Sequence, residues 1–166
     1  MANTYTLIQS VTVGSGGAAS IEFGSIPQTY TDLMFVYSLR LSTTNGGLRI
    51  RVNGATTSLS TRLLYGNGTS ALSGTDTTYI GSANNSNQTA SVFSNGNLYI
   101  PNYAGSTNKS FSVDTVDENN GTTAIAWLTA GLYSSSTAIT SLAFFGDAAG
   151  NFVQYSSASL YGIKNS

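Results

Sequence analysis

Between Tyr5 and Ile163 apolar residues recur at every second position in short runs, and nearly every run ends at Gly, Asn or Pro. Alternation at period two sends successive side chains to opposite faces of an extended strand, whereas an amphipathic helix needs a repeat of 3.6. No segment of ten or more residues shows the helical repeat. Strands are expected over 5–13, 21–23, 33–41, 48–52, 59–65, 89–93, 97–100, 110–116, 124–133, 139–145 and 157–163. The 124–130 stretch resembles a helix in length, but its β-branched and aromatic content favours a buried strand. Asn53-Gly54 and Asn95-Gly96 read as tight turns. Residues 69–88 read as a long turn-rich loop with at most one edge strand, at Tyr79-Ile80.

Many short strands in an unbroken chain of 166 residues predict one domain over 1–166, an antiparallel β-sandwich of jelly-roll type. Its expected core holds Leu7, Phe23, Phe35, Tyr37, Ile50, Phe111, Trp127, Leu142 and Leu160. On the first strand, Tyr5, Leu7, Val11 and Val13 are expected to share a face. The Ser/Thr/Asn/Gly-rich composition suggests disorder, but ten Tyr, seven Phe and a net charge of −1 oppose it.

Composition also narrows the chemistry. The chain has no His and no Cys, so it offers no imidazole proton shuttle, thiol nucleophile or soft metal ligand. No catalysis and no cofactor are expected. Six Lys and Arg neutralise few phosphates, which argues against nucleic acid. No stretch approaches the ~20 apolar residues of a membrane helix, and the start of the chain lacks a signal-peptide pattern.

Two clusters stand out. Asp114, Asp117 and Glu118 lie close in sequence, as Ca²⁺ ligands do, but without the alternating acidic loop of a cation site; a solvated hairpin loop is expected. Arg49 and Arg51 share one face of a strand and read as a water-facing surface, or as a contact to an acidic partner or to a neighbouring copy of the chain. Tyr79 and Tyr103 are expected to be the exposed tyrosines, where a partner or a sugar docks.

Two segments carry a family resemblance. Ile26-Pro27-Gln28-Thr29-Tyr30-Thr31-Asp32-Leu33, preceded by Ile21-Glu22-Phe23, resembles the I-P-x-x-Y-T-D-L connector of small virion proteins of tailed bacteriophages. Ser159-Leu160-Tyr161-Gly162-Ile163 resembles their S-L-Y-G-I carboxy-terminal ending. The resemblance implies a non-enzymatic structural protein of the virion, made in the host cytoplasm. A capsid decoration (cement) protein is expected, bound to the major capsid protein on the outer head surface as a homo-oligomer, trimer or dimer. Its interface would use Arg49, Arg51, Tyr79 or Tyr103. The alternative is a tail-fibre or tail-tip module that recognises host surface carbohydrate.

Overall fold

The structure, a computed structural model, describes residues 5–121 and 124–164. Twelve strands follow in order: β1 (Tyr5–Thr12), β2 (Ser20–Phe23), β3 (Asp32–Leu39), β4 (Gly47–Val52), β5 (Leu59–Gly66), β6 (Ala71–Asp76), β7 (Tyr79–Ser82), β8 (Ser94–Ile100), β9 (Lys109–Val116), β10 (Ala126–Tyr133), β11 (Leu142–Gly146) and β12 (Ser157–Ile163). The only helical element among the described residues is a 3₁₀ turn at Asp147–Ala149. An eight-stranded sheet, ordered β1-β12-β3-β8-β9-β10-β5-β6, packs on a four-stranded sheet, ordered β2-β11-β4-β7. The pairs in both sheets are antiparallel.

The topology is a jelly roll with an addition. Strands β1 to β4 pair with the chain returning in reverse order: β1 with β12, β2 with β11, β3 with β8 and β4 with β7. That is a long double ribbon wrapped so that successive pairs alternate between sheets. The other four strands arise from two insertions, β5–β6 between β4 and β7, and β9–β10 between β8 and β11. They add β9-β10-β5-β6 to the open edge of β8, so the large sheet extends well past the jelly roll.

The strand pattern explains the core. Leu33, Phe35, Tyr37, Leu39 and Leu41 alternate inward and are all buried. Phe35 meets Phe23 edge-on at 5.4 Å and Phe144 at 5.8 Å, while Phe144 also leans on Tyr37. Such edge-to-face contacts suit the ring quadrupole. Of the expected core, Phe23, Phe35, Tyr37, Ile50, Phe111, Leu142 and Leu160 lie in the main hydrophobic cluster, and Trp127 is buried beside it.

Leu7 is the exception, at 55% exposed. A register shift between Leu7 and Gln9 inserts one residue into β1, and a bulge of that kind reverses the face of everything before it. Leu7 therefore stands opposite Tyr161 on the outer surface, while Ile8, Val11 and Val13 pack on the core.

Other expectations also change. Residues 69–88 hold two strands rather than one loop. β6 pairs with β5 across a turn in which the Asn67 carboxamide oxygen accepts from the amides of Thr69 and Ser70, and β7 closes the small sheet with Ile80 buried. Residues 89–93 form no strand, because the buried guanidinium of Arg40 draws the carbonyls of Gln88, Thr89 and Val92 to itself at 2.8–3.1 Å. Asn95-Gly96 is no turn but part of β8. A Cβ on Gly96 would lie 2.4 Å from the Asp114 carbonyl and 2.6 Å from the Tyr37 hydroxyl, so only glycine fits between them. Asn53-Gly54 does turn tightly, with φ of 50° and 76°, but the chain then crosses to the other sheet instead of forming a hairpin.

The two segments that resemble phage virion proteins meet in space. β12 pairs with β3 so that Gly162 faces Leu33 and Ile163 faces Asp32, and the Thr31 amide donates to the Ile163 carbonyl at 2.8 Å. The Tyr30 ring lies over Gly162 so closely that a Cβ there would come within 2.3 Å of it. The pairing gives a physical reason for the two motifs to occur together in one chain.

Candidate functional site

The residues singled out from the sequence do not form a common site. Arg49 is occupied within the chain: its guanidinium donates to Asp76 at 2.9 Å and to Asp147 at 3.0 Å, and it sits over the Tyr79 ring. Arg51 reaches Glu22 at 3.8 Å and covers the Phe145 ring at 4.9 Å. Tyr79 is half-buried between Arg49 and Trp127, and burial pushes its hydroxyl up to about 12. Tyr103 is fully buried rather than exposed, because its hydroxyl donates to the Pro27 carbonyl under the connector leading to β3.

The acidic stretch also divides. Asp114, on the outer face of β9, accepts from the Asn97 carboxamide at 2.9 Å, and the Glu118 carboxylate caps the Asn120 amide. Asp117 turns inward and is buried instead of lying in a solvated loop. Burial raises its pKa against the hydrogen bonds it accepts from the Ser82 hydroxyl at 2.6 Å, the Ile125 amide and the Gln88 side chain. The Trp127 indole donates to that same Ser82 hydroxyl at 2.7 Å. Trp127, Ser82 and Asp117 thereby tie β10 and the end of β9 to β7 on the opposite sheet. Among the described residues no three acidic side chains converge as a cation site would require.

What the structure does bring together is an outward surface on the added strands. β9, β10 and β5 turn Val116, Leu128, Leu132 and Leu64 to solvent, while their alternate residues face inward. Leu128 is 60% exposed and Leu64 is 56% exposed. The registers set them side by side in a row running Val36–Asn97–Asp114–Leu128–Leu64–Ser73. The adjacent rows are Val116–Ala126–Gly66–Ala71 and Ser112–Ala130–Arg62–Thr75, so only Arg62 and Asp114 are charged on this part of the face. Between Leu64, Leu128, Ser112 and Ala130 lies a shallow apolar depression of about 380 Å³. Five of the nine large apolar side chains exposed among the described residues belong to the four added strands, counting Leu72 on β6. That concentration makes the addition the most apolar exposed part of the described surface.

A second feature is polar. A cleft of about 380 Å³ is lined by Thr44, Asn85, Asn87, Gln88, Thr89 and Asn119, amide and hydroxyl groups without a charge among them. Sequence reasoning missed both places. Leu128 and Leu132 sit in a strand with apolar residues on both faces, and Leu64 follows Leu63 directly, so alternation alone does not say which leucine meets water.

Among the described residues no helix is long and apolar enough to cross a membrane. Compared with known proteins, the chain matches no family model, no curated sequence and no solved structure.

Proposed function

We propose that this protein is a non-enzymatic structural component of a tailed-bacteriophage virion, a decoration protein bound in many copies to the outer surface of the head. The observation that carries the reading is the nearly uncharged apolar face of the added strands, centred on Leu64 and Leu128. A broad β surface suits repeated shallow contacts with a protein shell, and covering the exposed part of Leu64 or Leu128 contributes roughly 1–2 kcal/mol each. The assignment to virion proteins rests on the resemblance of the Ile26–Leu33 and Ser159–Ile163 segments. The low net charge leaves little long-range repulsion between neighbouring copies.

The test is to quantify the protein in purified particles and to compare Leu64→Ser/Leu128→Lys, which sets the new ammonium beside Asp114, with the wild type. Copy number on the scale of the major capsid protein, lost in the double variant while its melting temperature is kept, is the expected result. A handful of copies confined to the tail, or full occupancy by the double variant, overturns the reading.

The amide-lined cleft favours a second reading, a tail-tip module that binds host carbohydrate, since Asn and Gln side chains pair well with sugar hydroxyls. Against it, Tyr103 and Tyr79, the aromatic platforms expected from the sequence, are withdrawn into the protein. Binding of host surface polysaccharide that disappears in Asn87→Ala decides for this reading.

A further inference from the structure

Four strands form the edges of the two sheets: β1, β6, β2 and β7. Natural edges are protected by bulges, charges, prolines or shortness, because an open edge pairs with any suitable strand. β1 carries the bulge at Leu7/Gln9. β7 is four residues long, with an irregular register against β4. β2 is also four residues long and carries Glu22. β6 has no bulge and no proline, and its one charge, Asp76 at the end of the strand, is neutralised by Arg49. Its six residues pair in unbroken register with β5, and Ala71-Leu72-Ser73-Gly74-Thr75 contains no charge and no proline.

We infer that β6 is a self-association edge: a second copy of this chain adds its own β6 antiparallel, across a two-fold axis through Ser73, and joins the two eight-stranded sheets into one. Antiparallel pairing of a neutral segment with itself sets no like charges opposite one another. The geometry selects the register. Residues directly opposite in an antiparallel pair point to the same face, so the axis must pass through a residue. Centred on Ser73, the pairing sets Leu72 opposite Gly74 of the second copy and Ala71 opposite its Thr75. Leu72, 41% exposed at the end of the inner face beside Tyr65, then covers the position where Gly74 has no side chain. It also comes to lie beside Leu63 of that second copy, the residue paired with Gly74. Centred on Gly74, the pairing would instead drive Leu72 against Asp76, whose carboxylate is held by Arg49. On the outer face, Ser73 pairs with Leu64. The axis through Ser73 therefore joins the Leu64–Leu128 surfaces of both copies into one stripe.

The inference rests on the free edge and not on the virion reading, so it is tested on purified protein alone. Light scattering on a sizing column is expected to give a dimer for the wild type. Ser73→Lys and Ser73→Asp, each checked by circular dichroism for a wild-type fold, are expected to be monomers when alone and to re-form a dimer when mixed. The chain has no cysteine, and directly opposed Cα atoms in an antiparallel pair lie about 4.5–5.5 Å apart, within disulfide reach. Ser73→Cys should therefore oxidise to a covalent dimer, and Gln9→Cys on the bulged β1 edge should not. A monomeric wild type, charge variants that remain dimeric, or cross-linking through Gln9→Cys but not Ser73→Cys overturns the proposal.

Discussion

Trp127 offers the sharpest test of how the added strands are held. It is 8% exposed, stacked on Tyr65 at 4.1 Å, tilted against Tyr79 at 5.5 Å, and bonded through its indole N–H to Ser82. Trp127→Ala removes a large buried ring from beneath a sheet that cannot collapse onto the gap, a change that costs about 3–5 kcal/mol. Trp127→Phe keeps most of the apolar area and loses the donor. Ser82 still donates to Asp117 after that change, so no buried group is left without a partner and the loss should be about 1 kcal/mol. A urea titration followed by far-ultraviolet circular dichroism measures both. It should give an Ala variant several-fold more costly than the Phe variant, with the fold intact because domains carry about 5–15 kcal/mol in total. A loss below about 1.5 kcal/mol for Trp127→Ala would show that the ring is not a packing element. Equal losses in the two variants would mean that the hydrogen bond, and not the buried area, links β10 to β7.

Four further outcomes follow from particular contacts. Gly131→Ala sets a methyl group 2.0 Å from the Phe111 ring on β9, so its melting free energy should drop by at least the ~1–3 kcal/mol of an overpacked core; a change within ~0.5 kcal/mol refutes the packing. Burial alone would raise the Asp76 carboxyl, but the amides of Thr78, Tyr79 and Thr77 together with Arg49 outweigh it and hold it at about 2; its stabilisation is present above the unfolded value near 3.9 and lost as pH falls toward 2, so Asp76→Asn should flatten the acid limb of the stability curve. Asp117, raised by burial, works in the opposite sense: its contribution is present below the unfolded value and lost as pH rises through the folded one, so Asp117→Asn should remove a decline on the neutral side, and an unchanged profile counts against its burial. Deleting residues 71–87 takes away β7 with buried Ile80, and should abolish cooperative melting; a deletion protein that still melts sharply refutes the role of β7 in closing the small sheet.

Strand existence was legible wherever a run alternated between large apolar and small polar residues. β3, β4, β9 and β12 fall within a residue or two of their expected limits, and the residues expected to be inward are buried. The failures have separate causes. In β1 a single inserted residue exchanges the two faces, and nothing in Tyr5–Thr12 announces a bulge, so alternation points Leu7 to the wrong face. β6 mixes Leu72 and Thr75 with Ala71, Ser73, Gly74 and Asp76, most of them poor strand formers, so its pairing comes from the β5 ladder more than from its own propensity. Residues 89–93 have strand-forming side chains, yet a cation 49 residues away in sequence captures their carbonyls. Tyr103 sits in a turn, where exposure is the ordinary expectation, and a single carbonyl acceptor at Pro27 holds it inside. The candidate surface was less legible than the fold, because exposure of Leu64 and Leu128 depends on which sheet covers which face, a relation between segments distant in the chain.

That relation bears on why the added strands exist. The ribbon formed by β1 to β4 with β7, β8, β11 and β12, together with its connections, supplies most of the main hydrophobic cluster. β9-β10-β5-β6 contributes Leu59, Phe111, Val113 and Tyr133 to it, while Leu63 and Trp127 are buried outside it. The small sheet reaches over the addition through β7, by way of the Trp127–Ser82–Asp117 link and the Thr129 hydroxyl on the Ile80 carbonyl, and through the Arg49–Asp76 ion pair between β4 and β6. Core formation therefore accounts for the inner face of the added strands and leaves their outer face and free edge unexplained. A solvated sheet face normally alternates to polar residues, and β9 does so with Ser110, Ser112 and Asp114 before ending in Val116. β10 does not: Ala126, Leu128, Ala130 and Leu132 present only carbon to the outside. One strand of the addition thus keeps the rule for water and its neighbour breaks it, as expected where the boundary of a protein contact crosses a sheet.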